Sequence, residues 1–143
     1  MLQPEYPDFD FKIKTVGNTR YIFDEIRKKW LVFLPEEWVR QNFIQYLIRV
    51  KNYPPSLIAV EKGIQLGELK KRCDIVVYKS SRPWMIIECK SSLITLSEKV
   101  VDQILRYNIS LRVPYLVITN GHQNFAVQLE NESLLPLHEL PDW

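Results

Sequence analysis

Two apolar runs separated by a short polar loop form the clearest pattern along the chain. Residues 73–79 and 84–89 are rich in Val, Ile, Met and Tyr, and the SSRP segment at residues 80–83 is typical of a turn. Each run contains one acid, Asp74 near the start of the first and Glu88 near the end of the second. The pattern predicts a β-hairpin with one carboxylate on each strand.

The register of this hairpin follows from position numbers, because antiparallel pairing keeps the sum of paired positions constant. Pairing Tyr78 with Trp84 sets that sum to 162. Asp74 then lies opposite Glu88, and Lys90 shares their face. Directly opposite acids have Cβ atoms about 5 Å apart, and their carboxylates would repel by roughly 3 kcal/mol at an effective dielectric near 20. A divalent cation such as Mg²⁺ would offset this repulsion; alternatively, one acid is exposed at a strand end and the other pairs with Lys90.

Helical spacing begins at Pro35, with Glu36 and Glu37 in the first turn, and Tyr53-Pro54-Pro55 ends it. We expect Glu36 close to the centre of the apolar face and Glu37 nearer its margin. Glu36 is then either a structural N-terminal charge or a third carboxylate that leans toward the acids on the sheet. The apolar face comprises Val39, Phe43, Ile44, Leu47, Ile48 and Val50.

A second helix is predicted from a cap at Thr95 or Ser97 to about Leu111. Gln103 and Tyr107 are four residues apart and therefore share one of its faces. The positions predicted to face the sheet are Val100, Val101, Ile104 and Leu105.

Shorter apolar segments complete the predicted sheet. Asn120-Gly121 is a strong turn signal between two of them. Since strand–helix–strand connections are right-handed, the strand after the second helix should lie parallel to the Glu88 strand. The predicted class is α/β (α+β), a mixed sheet flanked by two helices. The additional strands are predicted at 56–60, 115–119 and 125–129, with residues 63–72 as a turn or a continuing strand.

The ends of the chain are less regular. Residues 9–14 and 20–23 are expected to form a small hairpin around Gly17-Asn18 that caps the core. Residues 134–143 (LLPLHELPDW) are expected to form an irregular tail that packs its leucines.

The 143 residues, 46% of them hydrophobic, predict a single domain over 1–143. Within it we distinguish an N-terminal extension at 1–34, a core at 35–130 and a tail at 131–143. The net charge of +2 neither requires nor excludes nucleic acid. No apolar run approaches the length of a membrane span and the N-terminus lacks a signal pattern, so a cytoplasmic protein without a membrane partner is expected.

The two cysteines, Cys73 and Cys89, are expected to be buried thiols that lie opposite each other on the sheet face away from the acids. A zinc site would need two more ligands, for which only His122 and His138 remain as histidines. The four glycines form no phosphate-binding loop, so no nucleotide cofactor is expected.

Three consecutive basic residues, Lys70, Lys71 and Arg72, precede Asp74. A phosphodiester backbone needs such positive contacts beside an acidic metal site. The alternative is a solvated strand end.

The ordered motifs of the chain resemble the PD-(D/E)XK nuclease superfamily. Asp74 is followed after thirteen residues by Glu88-Cys89-Lys90 on a helix–strand–strand–strand–helix–strand plan. The chain is similar, more closely, to the nuclease-like N-terminal domain of type I restriction enzyme R subunits, in a short stand-alone bacterial form, over roughly residues 20–125. The matching segments are PEEWVRQNFIQYLI, NYP, KKRCDIVVY, IIECKSS, DQILRYN and ITNG.

This resemblance implies a restriction-endonuclease-like core and a role for each matching residue. Asp74 and Glu88 would bind Mg²⁺ or Mn²⁺, and the backbone carbonyl of Cys89 would add a ligand. Lys90 would activate the attacking water or stabilise the phosphate. Glu36 matches the family's first-helix acid.

The resemblance also implies that Gln103 and Tyr107 form a Gln-x-x-x-Tyr element that touches DNA or supports the lysine. Cys73 replaces the superfamily's proline, and Leu34 stands where a capping Thr or Ser is expected.

The implied function is metal-dependent hydrolysis of DNA, in the context of restriction-modification. The alternatives are a non-catalytic DNA-binding or scaffolding module and a protein-binding domain. A homodimer is compatible with cutting both strands, but no residue identifies an interface.

Overall fold

The computed structural model describes residues 6–143, and residues 1–5 of the predicted N-terminal extension lie outside it. In this part of the chain the strands form two sheets. The smaller sheet is antiparallel, in the order β1-β2-β3, and the larger has the order β4-β5-β6-β7-β8-β9. The strands are β1 (Ile13–Val16), β2 (Thr19–Asp24), β3 (Lys29–Val32), β4 (Ile58–Leu66), β5 (Leu69–Lys79), β6 (Arg82–Cys89), β7 (Tyr115–Thr119), β8 (Asn124–Glu130) and β9 (Ser133–Pro136).

Two α-helices, α1 (Pro35–Gln45) and α2 (Glu98–Ile109), pack on the larger sheet. The helical path of α1 continues as a π-helical turn over Tyr46–Val50. Ser97 caps α2 by accepting a hydrogen bond from the backbone N–H of Val100. The elements α1, β4, β5, β6, α2 and β7 follow the predicted order, and β7 is parallel to β6, so the predicted fold class is confirmed. No helix among residues 6–143 is long and apolar enough to cross a membrane.

The predicted hairpin register is confirmed in the middle of the strands. Ile75 pairs with Ile87 and Val77 with Met85, which keeps the position sum at 162. The pairing of Tyr78 with Trp84 is wrong, because the register shifts by one residue after Val77 and Tyr78 pairs with Pro83.

The reason for the shift is the turn. Ser80 and Ser81 both have positive φ, +54° and +63°, as in the tight two-residue turns that suit the strand twist. Arg82 therefore already pairs with Lys79, and one extra residue of β6 is accommodated as a bulge.

The larger sheet separates two apolar clusters. The α1-side cluster combines the buried face of α1 with Ile75, Val77, Met85, Ile87 and Cys89. The α2-side cluster combines Val101 and Leu105 of α2 with residues such as Cys73, Val76, Ile86 and Leu116. Val100, predicted to face the sheet, is 38% exposed.

The cysteines are free and buried, as predicted, but they do not share a face. Cys89 belongs to the α1-side cluster and Cys73 to the α2-side cluster.

The side-chain alternation of β5 breaks at Asp74. Ile75 and Val77 face α1, and strict alternation would place Cys73 and Lys71 on the same side. Instead Cys73 packs on the α2 side, and Lys71 contacts Asn108 of α2. The ladder to β4 is interrupted at the same level, since Val60 pairs with Ile75 and Lys62 with Cys73 while Glu61 between them has φ +54°. At the level of Asp74, the side chains of both strands therefore change the sheet face to which they point.

Two strands were not predicted. β3 pairs with β2 and adds a third strand to the N-terminal hairpin. β9 pairs with β8, so the expected irregular tail begins with regular structure. After β9, Leu140 is 2% exposed and the Tyr53 hydroxyl donates to the carbonyl of Pro141 at 2.6 Å.

The small sheet is joined to α1 through the buried carboxylate of Asp24. It accepts hydrogen bonds from the backbone N–H of Arg27 at 2.9 Å, from Arg27 Nε at 2.7 Å and from Gln41 Nε2 at 2.9 Å. Burial alone would raise the pKa of Asp24, but these bonds outweigh it and hold the pKa below its usual range.

A lowered folded-state pKa stabilises the fold above the unfolded pKa of about 3.9, and the stabilisation is lost as the pH falls through the folded value. We therefore expect Asp24→Asn to lower the free energy of unfolding by about 1–3 kcal/mol near neutral pH. The difference in this free energy between variant and wild type should become smaller at about pH 3. Urea unfolding at both pH values measures this, with the exposed Asp10→Asn as control. A gap that does not change with pH would contradict the role given to Asp24.

Candidate active site

A cleft of about 180 Å³ lies where β5 and β6 meet the first turn of α1. Four of the six residues proposed as catalytic from sequence line it, namely Glu36, Asp74, Glu88 and Lys90. Lys71 and Arg72, proposed to contact DNA, and Cys89, proposed as a ligand through its carbonyl, also line the cleft. The structure thus brings residues that are far apart in sequence around one small space.

Asp74 is held from the side of α1. Its Oδ1 accepts from Arg40 Nη2 at 3.1 Å, and its Oδ2 accepts from the backbone N–H of Cys89 at 2.7 Å. The side chain of Asp74 is 20% exposed, so its carboxylate remains accessible from the cleft.

Arg40 is the centre of a charge network. Besides Asp74, its guanidinium contacts Glu37 at 2.8 Å and Glu61 at 2.5 Å, and it lies 3.8 Å from Glu36. Although burial lowers the pKa of an arginine, the surrounding carboxylates, Glu37 foremost, raise the pKa of Arg40 overall. The sequence patterns had assigned no role to Arg40.

Glu88 is held from the side of α2. Its Oε2 accepts from Lys71 Nζ and from Asn108 Nδ2, each at 3.2 Å, and its Oε1 lies 3.5 Å from Lys90 Nζ. Asn108 is 4% exposed and its own Oδ1 accepts from Lys71 at 2.5 Å. Asn108 was missed because an amide at the end of an amphipathic helix carries no distinctive sequence signal.

The two acids of the first helical turn have different surroundings from those predicted. Glu37, expected at the margin, is buried against Arg27, Arg40 and Gln41. Glu36, expected near the centre of the apolar face, has a side chain that is 52% exposed and reaches the cleft from its rim. Partial burial and the negative charge of Asp74 raise the pKa of Glu36.

Cys89 can offer a metal only its backbone carbonyl. Its thiol is fully buried in the α1-side cluster, and burial raises the pKa well above the ordinary value, so the thiolate is strongly disfavoured.

Gln103 and Tyr107 do not line the cleft. Gln103 is exposed on α2, and Tyr107 is 62% exposed. The ring of Tyr107 lies 4.8 Å from Lys71 Nζ, a cation–π distance, so Tyr107 neighbours a residue that lines the cleft.

The three consecutive basic residues separate into two kinds. Lys70 and Arg72 are exposed, whereas the side chain of Lys71 is only 14% exposed and points to Glu88. A second, open cavity of about 430 Å³ adjoins the cleft and is lined by all three.

The chemistry of the donors suits a divalent hard cation, which prefers carboxylate and carbonyl oxygens. In the structure, Arg40 balances the negative charge of Asp74, and Lys71 and Lys90 balance that of Glu88. Among the described residues, no group of three or more His, Cys, Asp and Glu has the spacing of a metal site. A cation bound to these acids would therefore displace one of the basic groups or lie beside them.

Comparison with known proteins gives one family. The profile of the type I restriction enzyme R protein N terminus (HSDR_N) matches residues 35–141. Searches of curated proteins and of solved structures gave no significant match. The matched segment runs from the first residue of α1 to beyond β9 and contains every residue of the cleft. The chain therefore belongs to the family of type I restriction enzyme R protein N-terminal domains.

Proposed function

We propose that the chain hydrolyses phosphodiester bonds in DNA with the help of Mg²⁺ or Mn²⁺. The observation that carries this proposal is the convergence of Glu36, Asp74, Glu88 and Lys90 on one cleft. Membership of a restriction-enzyme family supports DNA as the partner.

In this proposal Asp74, Glu88 and the Cys89 carbonyl hold the cation, with Glu36 at the rim as a further acid. The bound cation would supply a water of lowered pKa and neutralise charge on the scissile phosphate. The N–H of Cys89 fixes Asp74 at 2.7 Å, which presents its carboxylate in one orientation.

Lys90 acts in this proposal as a positive charge beside the reacting phosphate. Its ammonium lies 3.5 Å from Glu88 and its side chain is 36% exposed, so Lys90 is both close to this acid and accessible from solvent. A preoriented cation there stabilises the extra negative charge of the pentavalent phosphate.

The DNA backbone would approach along the exposed part of the β4–β5 hairpin. Lys70 and Arg72 line the cavity next to the cleft and are exposed. Contacts from such residues position a duplex without reading its sequence.

One observation favours a second candidate function, a non-catalytic DNA-binding module. Arg40 already neutralises Asp74, and Lys71 and Lys90 neutralise Glu88. A protein whose acids remain paired with these basic side chains would keep the fold and the basic surface but would not bind the metal.

Incubation of the chain with supercoiled plasmid in Mg²⁺, in Mn²⁺ and in EDTA tests the proposal. We expect nicked or linear DNA with either metal and none with EDTA. Binding measured at about 50 and 200 mM salt should weaken strongly at the higher concentration. Binding without cleavage would favour the second function, and no salt-dependent binding would leave only a protein-binding domain.

A further inference from the structure

Lys71 is the most constrained basic side chain in the cleft. Its Nζ contacts Glu88 Oε2 at 3.2 Å and Asn108 Oδ1 at 2.5 Å, and it lies 4.8 Å from the centre of the Tyr107 ring. Lys90 is farther from Glu88, at 3.5 Å, and more exposed. Asn108 and Tyr107 therefore hold the ammonium of Lys71 beside one carboxylate oxygen of Glu88.

This position depends on the break in alternation at Asp74. Without it, Lys71 would project to the same side as Ile75 and Val77, away from α2. The exchange of faces brings the lysine to Glu88, while Lys70 and Arg72 on either side remain exposed.

We propose that Lys71 is a built-in counter-cation that competes with the divalent metal for Glu88 and sets the metal concentration at which the cleft fills. The inference rests on the proposed function, since the metal is the one proposed for that site. Glu88 Oε2 already accepts two hydrogen bonds and Oε1 faces Lys90. A cation that binds Glu88 must displace an ammonium or lie beside it, and like charges at such distances repel strongly.

The side chain of Lys71 can also move into a neighbouring cavity. It lines both the cleft and the adjoining cavity of about 430 Å³, on whose wall lie Lys70 and Arg72. In that cavity its ammonium can meet a DNA phosphate. DNA and metal then each favour the release of Lys71 from Glu88, so each should increase the affinity for the other by the same factor.

The test is Mn²⁺ titration followed by the electron paramagnetic resonance signal of the free ion. Lys71→Met is expected to bind Mn²⁺ about tenfold or more tightly than wild type, because a positive charge next to the site is removed. Lys71→Arg, which keeps the charge, and Lys62→Met, which removes an exposed charge from the neighbouring strand β4, should stay within about twofold of wild type. Adding a non-cleavable phosphorothioate duplex should tighten Mn²⁺ binding in wild type and much less in Lys71→Met.

Asp74→Asn in the same titration separates this inference from the proposed function. If Asp74→Asn loses Mn²⁺ while Lys71→Met binds no tighter than wild type, the metal site stands and the role of Lys71 is refuted. Tight binding by both Lys71→Met and Lys71→Arg would also refute it, since charge would not be the cause. If wild type and Lys71→Met both fail to bind, the inference and the proposed function fall together. Thermal unfolding identifies any variant that does not fold, in which case Lys71→Gln replaces Lys71→Met.

Discussion

Asp74→Asn is expected to abolish metal-dependent cleavage of plasmid DNA. The change removes one of the two carboxylates proposed to hold the cation, and loss of several kcal/mol of transition-state stabilisation lowers the rate by about 10³-fold or more. Asparagine keeps an oxygen acceptor for the backbone N–H of Cys89, so the strand contact at that point should persist. Initial rates of plasmid nicking in Mn²⁺ measure the effect.

The matched control is Asp102→Asn, which removes an equal charge from an exposed position of α2. It should cleave like wild type. The free energy of unfolding of Asp74→Asn should also lie within about 2 kcal/mol of the wild-type value, which would exclude misfolding as the cause of the lost cleavage. Cleavage by Asp74→Asn at the wild-type rate would place the chemistry elsewhere.

Arg40→Met is expected to produce the largest loss of stability, about 3–5 kcal/mol. Arg40 is 7% exposed and its removal leaves Glu37, itself 8% exposed, without its nearest positive partner. Asp74 and Glu61 lose the same partner, and the repulsion among these acids is no longer offset. Methionine fills a similar apolar length and favours helix, so the loss reports mainly on charge.

Chemical denaturation of Arg40→Met beside Arg106→Met measures this cost. Arg106 is exposed on α2 and pairs only with Asp102 among the described residues, so its replacement should cost no more than about 0.5 kcal/mol. Arg40→Lys should fall between the two, because a lysine keeps the charge but not the fork of donors. Equal stability of the two methionine variants would show that the buried acids do not depend on Arg40.

The parts of the fold that followed from the sequence are those set by local patterns. Pro35 marked the start of α1, Ser97 proved to be the cap of α2, and the apolar runs gave β5, β6 and β7 with their relative directions. The register in the centre of the hairpin agrees with the predicted sum of 162 although the pairing of Tyr78 with Trp84 that set this sum is wrong, because the bulge in β6 adds one residue after the tight turn.

The residues that surround the candidate acids could not be derived in the same way. Asn108 and Lys71 are 37 positions apart and meet only because β5 exchanges faces at Asp74. A strict two-residue alternation of side chains between the sheet faces cannot predict this change of face in β5. It also produced the wrong expectation that Cys73 and Cys89 share a face.

Two outer strands escaped prediction for a related reason. β3 and β9 are short edge strands whose burial is low, so their residues show little alternation of apolar and polar types. Their pairing is set by the neighbouring strand and the turn that precedes them rather than by a pattern of their own.

The separate anchoring of the two central acids has a thermodynamic consequence. Asp74 is tied to α1 through Arg40, and Glu88 is tied to α2 through Asn108, while the apolar clusters beneath these helices have no described residue in common. A ligand that engages both carboxylates would bridge the layers on the two sides of the sheet. Part of its binding free energy would then appear as resistance of the whole molecule to unfolding, so occupancy of the cleft and global stability become linked quantities.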